Sequence, residues 1–293
     1  MMTRTGVALL LCLVLTACAS DELSSAERTI HIGTHALHAR VLGEGSPAVV
    51  VNIGIASRSE EWRSLQEQLA EETTVLVYDR AGYGASEPGP LPRDSGREMD
   101  ELKALLDASS IPGPFVLVGH SLGALNVQVF AARYPGYVAG MVLLDPPPLG
   151  WLLGEKYSGL LAMAEQMTDE WQAIADRGLV SSEPAERAEA AFFAMIASEH
   201  REMLGESARL AAAIETFGNT PLIVIASGVP NPMFGDVAEE YQSYWAHQSR
   251  AVAAKSTRSD FVLAEESSHR LNEEAVELVL ASILSVVANV ARR

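Results

Sequence analysis

The sequence predicts an α/β fold: a mostly parallel central sheet flanked by helices, carrying a helical insertion. Three observations lead there. Short apolar runs suited to buried strands alternate with stretches whose apolar residues fall at helical spacing, the rhythm of strands joined by crossover helices. One such run, Phe115-Val116-Leu117-Val118, leads straight into Gly119-His120-Ser121-Leu122-Gly123, after which helical spacing resumes at Ala124, Val127 and Ala131. Residues 146–220, by contrast, contain no convincing strand. At 293 residues the chain can bury one large core with an insertion, and 48% hydrophobic against 20% charged residues describes a globular protein.

In order along the chain, residues 29–32 and 36–42 alternate as two strands of an antiparallel ribbon, turned at Gly33-Thr34. Residues 48–53 are rich in valine and isoleucine, as expected of a strand buried on both faces. A helix should follow, with Ser57 and Glu60 at capping-box spacing and Trp62, Leu65 and Leu69 in one apolar stripe. The strand at 74–78 opens into Asp79-Arg80-Ala81-Gly82-Tyr83-Gly84-Ala85-Ser86, a loop that Asp79 and Arg80 are read as ordering. After a proline-rich connection at 88–92, Asp94 can cap a helix to residue 108. The segment around Ser121 comes next, then a buried strand at 138–144.

Pro146-Pro147-Pro148 opens the insertion, with helical runs around 155–175 and 184–217 and a break at 178–182. Its Trp151, Tyr157, Met163, Met167, Trp171, Phe192, Phe193, Met195 and Met203 are suited either to lining an apolar pocket or to packing the insertion's own core. The sheet resumes at 221–226. A helix over 237–254, a strand at 260–264 and a closing helix over 271–290 complete the pattern.

A strand, a one-residue hairpin and a helix around Ser121 form the pattern G-x-S-x-G, the nucleophile elbow, and over about residues 29–290 the chain resembles the α/β-hydrolase family. A side chain at either flanking glycine would clash where the backbone folds back, and the apex residue is expected at positive φ. The resemblance implies a core of residues 29–145 and 221–293 with a cap at 146–220. It also implies the chain order serine, acid, histidine. A serine hydroxyl is a poor nucleophile at neutral pH and needs a base held by a carboxylate. Of the histidines after Ser121, His200 falls in the cap and His247 in mid-helix. His269 falls in the loop after the last strand, where the family places its base. His120 reads as part of the pocket floor.

The acid has two candidates. The usual family position reads Gly228-Val229-Pro230-Asn231, with an amide where the carboxylate belongs. Asp145 ends the strand after the elbow helix, a place from which other members supply the acid; Asp236 could swing back from five residues past Asn231. Asp145 is favoured. An oxyanion needs two preorganised N–H donors. They are expected from Leu122, at a helix N-terminus, and from Ile55, in a turn where the family often has His-Gly and this chain has Ile53-Gly54.

The formal charge of −17, from 21 basic and 38 acidic residues without a Lys/Arg cluster, argues against a nucleic-acid partner. Arg4 and the apolar run at 6–15, too short to span a bilayer, read as a signal peptide over 1–17. The run ends in Leu15-Thr16-Ala17-Cys18, which resembles the lipobox of bacterial lipoproteins. That implies lipid on Cys18, anchoring at a membrane through a tether over 18–28, and loss of Cys12 with the leader. Ala19-Ser20 differs from the acidic inner-membrane retention signal, which implies the outer membrane in a Gram-negative cell; cleavage after Ala17 or Ala19 would instead mean secretion. The predicted function is a serine hydrolase of a small-molecule carboxylic ester or related acyl bond, with no cofactor and no metal site. The alternative is a lipid-anchored scaffold on the same fold, motivated by the altered Asn231 and Ile53.

Overall fold

Period-two alternation along each strand sends its side chains into two different layers. In the computed structural model, which describes residues 26–292, eight strands form one sheet: β1 (Glu27–His31), β2 (Ala36–Leu42), β3 (Val49–Asn52), β4 (Val75–Tyr78), β5 (Phe115–His120), β6 (Val138–Leu144), β7 (Leu222–Ser227) and β8 (Ser259–Ala264). Between them run α1 (Arg63–Leu69), α2 (Ser95–Ser109), α3 (Leu122–Arg133), α4 (Leu149–Leu152), α5 (Ser158–Leu179), α6 (Pro184–Met203), α7 (Glu206–Ala212), α8 (Ala238–Ala253), α9 (Leu271–Glu274) and α10 (Val276–Ala291). The signal-peptide and Cys18 assignments lie outside the described residues. β1 begins at Glu27, inside the stretch read as tether.

The strand order is β1-β2-β4-β3-β5-β6-β7-β8. β2 pairs antiparallel with both β1 and β4, and every other pairing is parallel. The predicted fold class is the observed one. Val49, Val51, Val75, Val77, Val116, Val118 and Val142 pack one layer, with Trp62, Leu65 and Leu69 and with Val279, Ile283 and Val286 of α10. Val50, Leu76, Leu117, Met141, Leu143 and Val224 pack the other, against Leu102 and Leu106 of α2, Leu125 and Phe130 of α3, and Trp245 of α8. Burial on both faces explains why these strands read as continuous apolar runs. Residues 26–292 contain no cysteine, so this burial carries the fold, at about 1.5–3 kcal/mol for each fully buried Val, Leu or Ile.

The helical insertion, α4 to α7, sits between β6 and β7. Three local expectations are corrected. The capping box at Ser57 does not form. The Ser57 hydroxyl donates to Glu61 instead (2.5 Å) and Glu60 pairs with Arg63, so a 3-10 turn over Ser59–Trp62 precedes α1. The long run from 184 stops at Met203, because Gly205 (φ −133°, ψ −108°) leaves helical space before α7. The closing helix is interrupted at Ala275 (φ −124°, ψ 38°), which divides α9 from α10.

Candidate active site

Ser121 stands between β5 and α3 at φ 54°, ψ −122°. A Cβ on Gly119 would fall 2.4 Å from the Gly123 carbonyl oxygen, and one on Gly123 would fall 2.0 Å from that of Asn52. Strand, elbow and helix therefore touch backbone to backbone, which only glycine permits. Leu122, the first residue of α3, has no carbonyl four residues back in the helix to receive its N–H, and it lies at the positive end of the helix dipole. The loop after β3 lies against the elbow: a Cβ on Gly54 would be 3.1 Å from His120 Nδ1 and 3.6 Å from Ser121 Cβ. Among the described residues no backbone carbonyl accepts from the next N–H, that of Ile55.

Parallel pairing of β6, β7 and β8 brings their C-terminal ends together. Asp145, buried at the end of β6 with φ 48°, receives the Ser227 N–H on Oδ1 (2.9 Å). Its Oδ2 receives the Ser227 hydroxyl (2.7 Å) and pairs with His269 Nδ1 (2.6 Å). Gln242 of α8 donates in turn to the Ser227 carbonyl (2.6 Å) and hydroxyl (3.0 Å). Trp245 packs edge-on against the His269 ring at 5.5 Å. Ser121, Asp145 and His269 line one cavity of about 180 Å³, walled also by Trp151 and Met203 from the insertion and by Phe234, and no Lys or Arg is among its walls.

Asp236 is exposed on the 3-10 turn Pro232–Val237 and does not reach that cavity. Asn231 does line it, but its side-chain carbonyl accepts from Met233 N (3.0 Å) and caps the turn. A larger groove of about 540 Å³, walled by Asp94, Arg97, Asp100 and Arg133 among others, contains none of the candidate residues. The insertion's aromatic and methionine residues divide between both expected roles. Trp151 and Met203 reach the cavity, while Trp171, Phe192, Phe193 and Met195 pack with Tyr83 in a separate cluster.

His120 is not a floor residue. Its ring is buried and Nε2 meets the His269 backbone carbonyl at 2.8 Å, so it props the loop that carries His269. Burial, reinforced by the nearby His269, lowers its pKa to about 4. Burial does the same to His200. Below an ordinary histidine pKa of about 6.5 the unfolded chain binds protons that these folded rings refuse. Stability therefore falls as pH drops from about 6.5 toward 4, by on the order of 3 kcal/mol for each ring. Urea unfolding across that range should show the decline. His120→Gln, which can still donate to the His269 carbonyl, should flatten part of it; a slope unchanged in that variant would refute the assignment.

One group near the site was read only as a loop-ordering residue. Arg80, buried, donates to the carbonyls of Ile53 (2.5 Å) and Gly54 (3.0 Å), the two residues before Ile55. It also makes a two-pronged pair with Glu199 of α6, at 2.9 and 2.8 Å. Tyr83 completes the clamp, donating to Glu199 (2.6 Å) and accepting from the Ala56 N–H (3.1 Å). Burial opposes charge on Arg80, but Glu199 and Glu98 outweigh it and raise its pKa well above the usual value. Burial and the neighbouring Glu199 push the pKa of Glu98 up, while Arg80 overcomes burial to hold that of Glu199 down.

The profile of the Alpha/beta hydrolase family matches residues 48–281. This chain belongs to the α/β-hydrolase family. Its relatives include the Bacillus subtilis protein YqjL, 26% identical over 261 residues that cover 89% of this chain and 91% of YqjL. Lipase LipV of Mycobacterium tuberculosis is 37% identical over 111 residues, covering 38% of this chain and 41% of the lipase. The 2-(acetamidomethylene)succinate hydrolase of Mesorhizobium japonicum is 33% identical over 130 residues, 44% of this chain and 45% of that enzyme. Among solved α/β-hydrolase structures, a thermophilic esterase from Thermogutta terrifontis superposes with a TM-score of 0.63 at 18% identity, covering 90% of this chain and 98% of the esterase. That likeness shows the shared fold.

Proposed function

We propose that this α/β hydrolase is a serine hydrolase that cleaves a neutral carboxylic ester or related acyl bond. Ser121 attacks the carbonyl carbon while His269 Nε2 takes its proton, and Asp145 stabilises the imidazolium through Nδ1. The N–H groups of Leu122 and Ile55 receive the charge that develops on the carbonyl oxygen. His269 then returns the proton to the departing alkoxide, leaving an acyl-serine. Water, deprotonated by the same ring, attacks that acyl group and releases the acid and free Ser121.

The observation that carries this reading is the 2.6 Å contact between His269 Nδ1 and buried Asp145, in a cavity shared with a serine held at positive φ. That contact orients a half-exposed imidazole whose other nitrogen is available for chemistry. The lipase and hydrolase named among the relatives agree with acyl chemistry. Without Lys or Arg in the cavity walls, a dicarboxylate such as the succinate in the Mesorhizobium enzyme's name would find no cationic partner here.

A fluorophosphonate probe tests the reading. It should modify Ser121, located by peptide mass spectrometry, and the modified chain should lose the hydrolysis of p-nitrophenyl acetate. Absence of labelling at Ser121 would overturn the proposal in favour of a non-catalytic scaffold.

A further inference from the structure

A second cavity, about 390 Å³, lies beside the catalytic one, lined by Leu160, Met163 and Met167 of α5 and by His200 of α6. Trp151 and Phe234 line both cavities, so the two spaces share a wall of aromatic side chains. His200 is only 3% exposed, and its Nδ1 meets the Thr168 hydroxyl at 2.6 Å. That hydroxyl donates its one proton to the Ala164 carbonyl (2.9 Å). With the Thr168 proton directed to Ala164, the matching tautomer has His200 Nδ1 donating to Thr168 and Nε2 keeping its lone pair.

No described residue pairs with Nε2, and protein atoms do not seal it off as they do Trp151 Nε1. The ring is neutral, its pKa held at about 4 by burial, and Trp171 packs edge-on at 5.2 Å to fix its orientation. An acceptor left open in a space lined largely by thioether, aliphatic and aromatic groups, together with Gln166 and Glu170, is placed to receive a donor from a ligand.

We propose that this second cavity takes the far end of the substrate, a neutral apolar arm whose terminal hydroxyl or amide N–H donates to His200 Nε2. The inference rests on the hydrolase reading, which puts the ester carbonyl at Ser121 and runs the arm past Trp151 and Phe234. Met163 and Met167 suit a flexible chain, since thioether side chains adapt their shape at little cost. The carboxylates along the two cavities are Asp145 and Glu170, with no Lys or Arg among the lining residues, so an arm ending in a carboxylate is disfavoured.

The test is calorimetric titration of the Ser121→Ala protein with neutral primary amides of four to ten carbons, each with and without an ω-hydroxyl. At one chain length the hydroxyl should tighten binding about threefold to tenfold, the net worth of one hydrogen bond. His200→Phe should erase that ratio, and His200→Gln, which offers a side-chain carbonyl acceptor, should retain part of it. If the phenylalanine variant does not fold, Met163→Trp must erase the ratio by filling the cavity. No hydroxyl advantage at any length, no binding at all, or an advantage that survives in these variants overturns the inference. Because no turnover is measured, that failure is separate from failure of the hydrolase reading, which labelling at Ser121 decides.

Discussion

Asp145→Asn should lower kcat for a p-nitrophenyl ester by about ten-thousandfold, the scale seen when a serine hydrolase's acid becomes an amide, with KM little changed. The hydrogen bonds around Asp145 show why. Oδ1 is held by the Ser227 N–H, so asparagine places its carbonyl there and turns its NH₂ toward Ser227 Oγ and His269 Nδ1. The hydroxyl adapts, because it can accept as well as donate. The imidazole adapts only by accepting at Nδ1, which moves its proton to Nε2. That is the nitrogen required to take the proton of Ser121, and the base is then in the wrong tautomer. The loss would not reflect unfolding, since asparagine tolerates φ near 48° as well as aspartate does. Asp236→Asn, on its exposed turn, should keep near-normal turnover. If the two variants behaved the other way round, Asp145 would be excluded as the acid.

The elbow was legible because everything that defines it lies within nine consecutive residues, and its glycines answer to a local clash. The strands were legible for a related reason: burial on both faces leaves a continuous apolar run. The preference for Asp145 over Asp236 needed more than spacing. The contact between Asp145 and His269 exists only because the parallel register sets the end of β6 beside Ser227 and the β8 loop brings His269 across. His120 was misread because its partner is a backbone carbonyl 149 residues away, which no side-chain pattern records. Arg80 and Glu199 are 119 residues apart, on a loop of the core and a helix of the insertion. Arg80 read only as ordering its own loop, and nothing local in the sequence joins it to Glu199. The helical breaks at Gly205 and Ala275 escaped because apolar spacing runs through both.

That buried pair yields a prediction in which stability and turnover part company. Arg80→Met alone leaves the Glu199 carboxylate in a dry site without its cation and should destabilise the fold by about 3–5 kcal/mol. Replacing both partners, Arg80→Met with Glu199→Leu, removes the stranded charge and should restore most of that stability, because apolar groups can occupy such a site about as favourably as an ion pair. Turnover should not return with it. In the double variant the carbonyls of Ile53 and Gly54 lose their donor, and Tyr83 loses the acceptor that holds it against Ala56 N–H. The Ile55 N–H between them is then free to wander. Outright removal of an oxyanion donor costs about a hundredfold to a thousandfold in kcat, so loosening one should cost roughly tenfold to a hundredfold. Urea unfolding and steady-state kinetics on the same preparations separate the two effects. A double variant that regains both stability and kcat would mean the clamp serves folding alone. One that regains stability while kcat stays low would mean that Glu199, on a helix of the insertion, helps set the geometry at Ser121. It would also mean that the insertion cannot lift away from the core without stripping Arg80 of its partner.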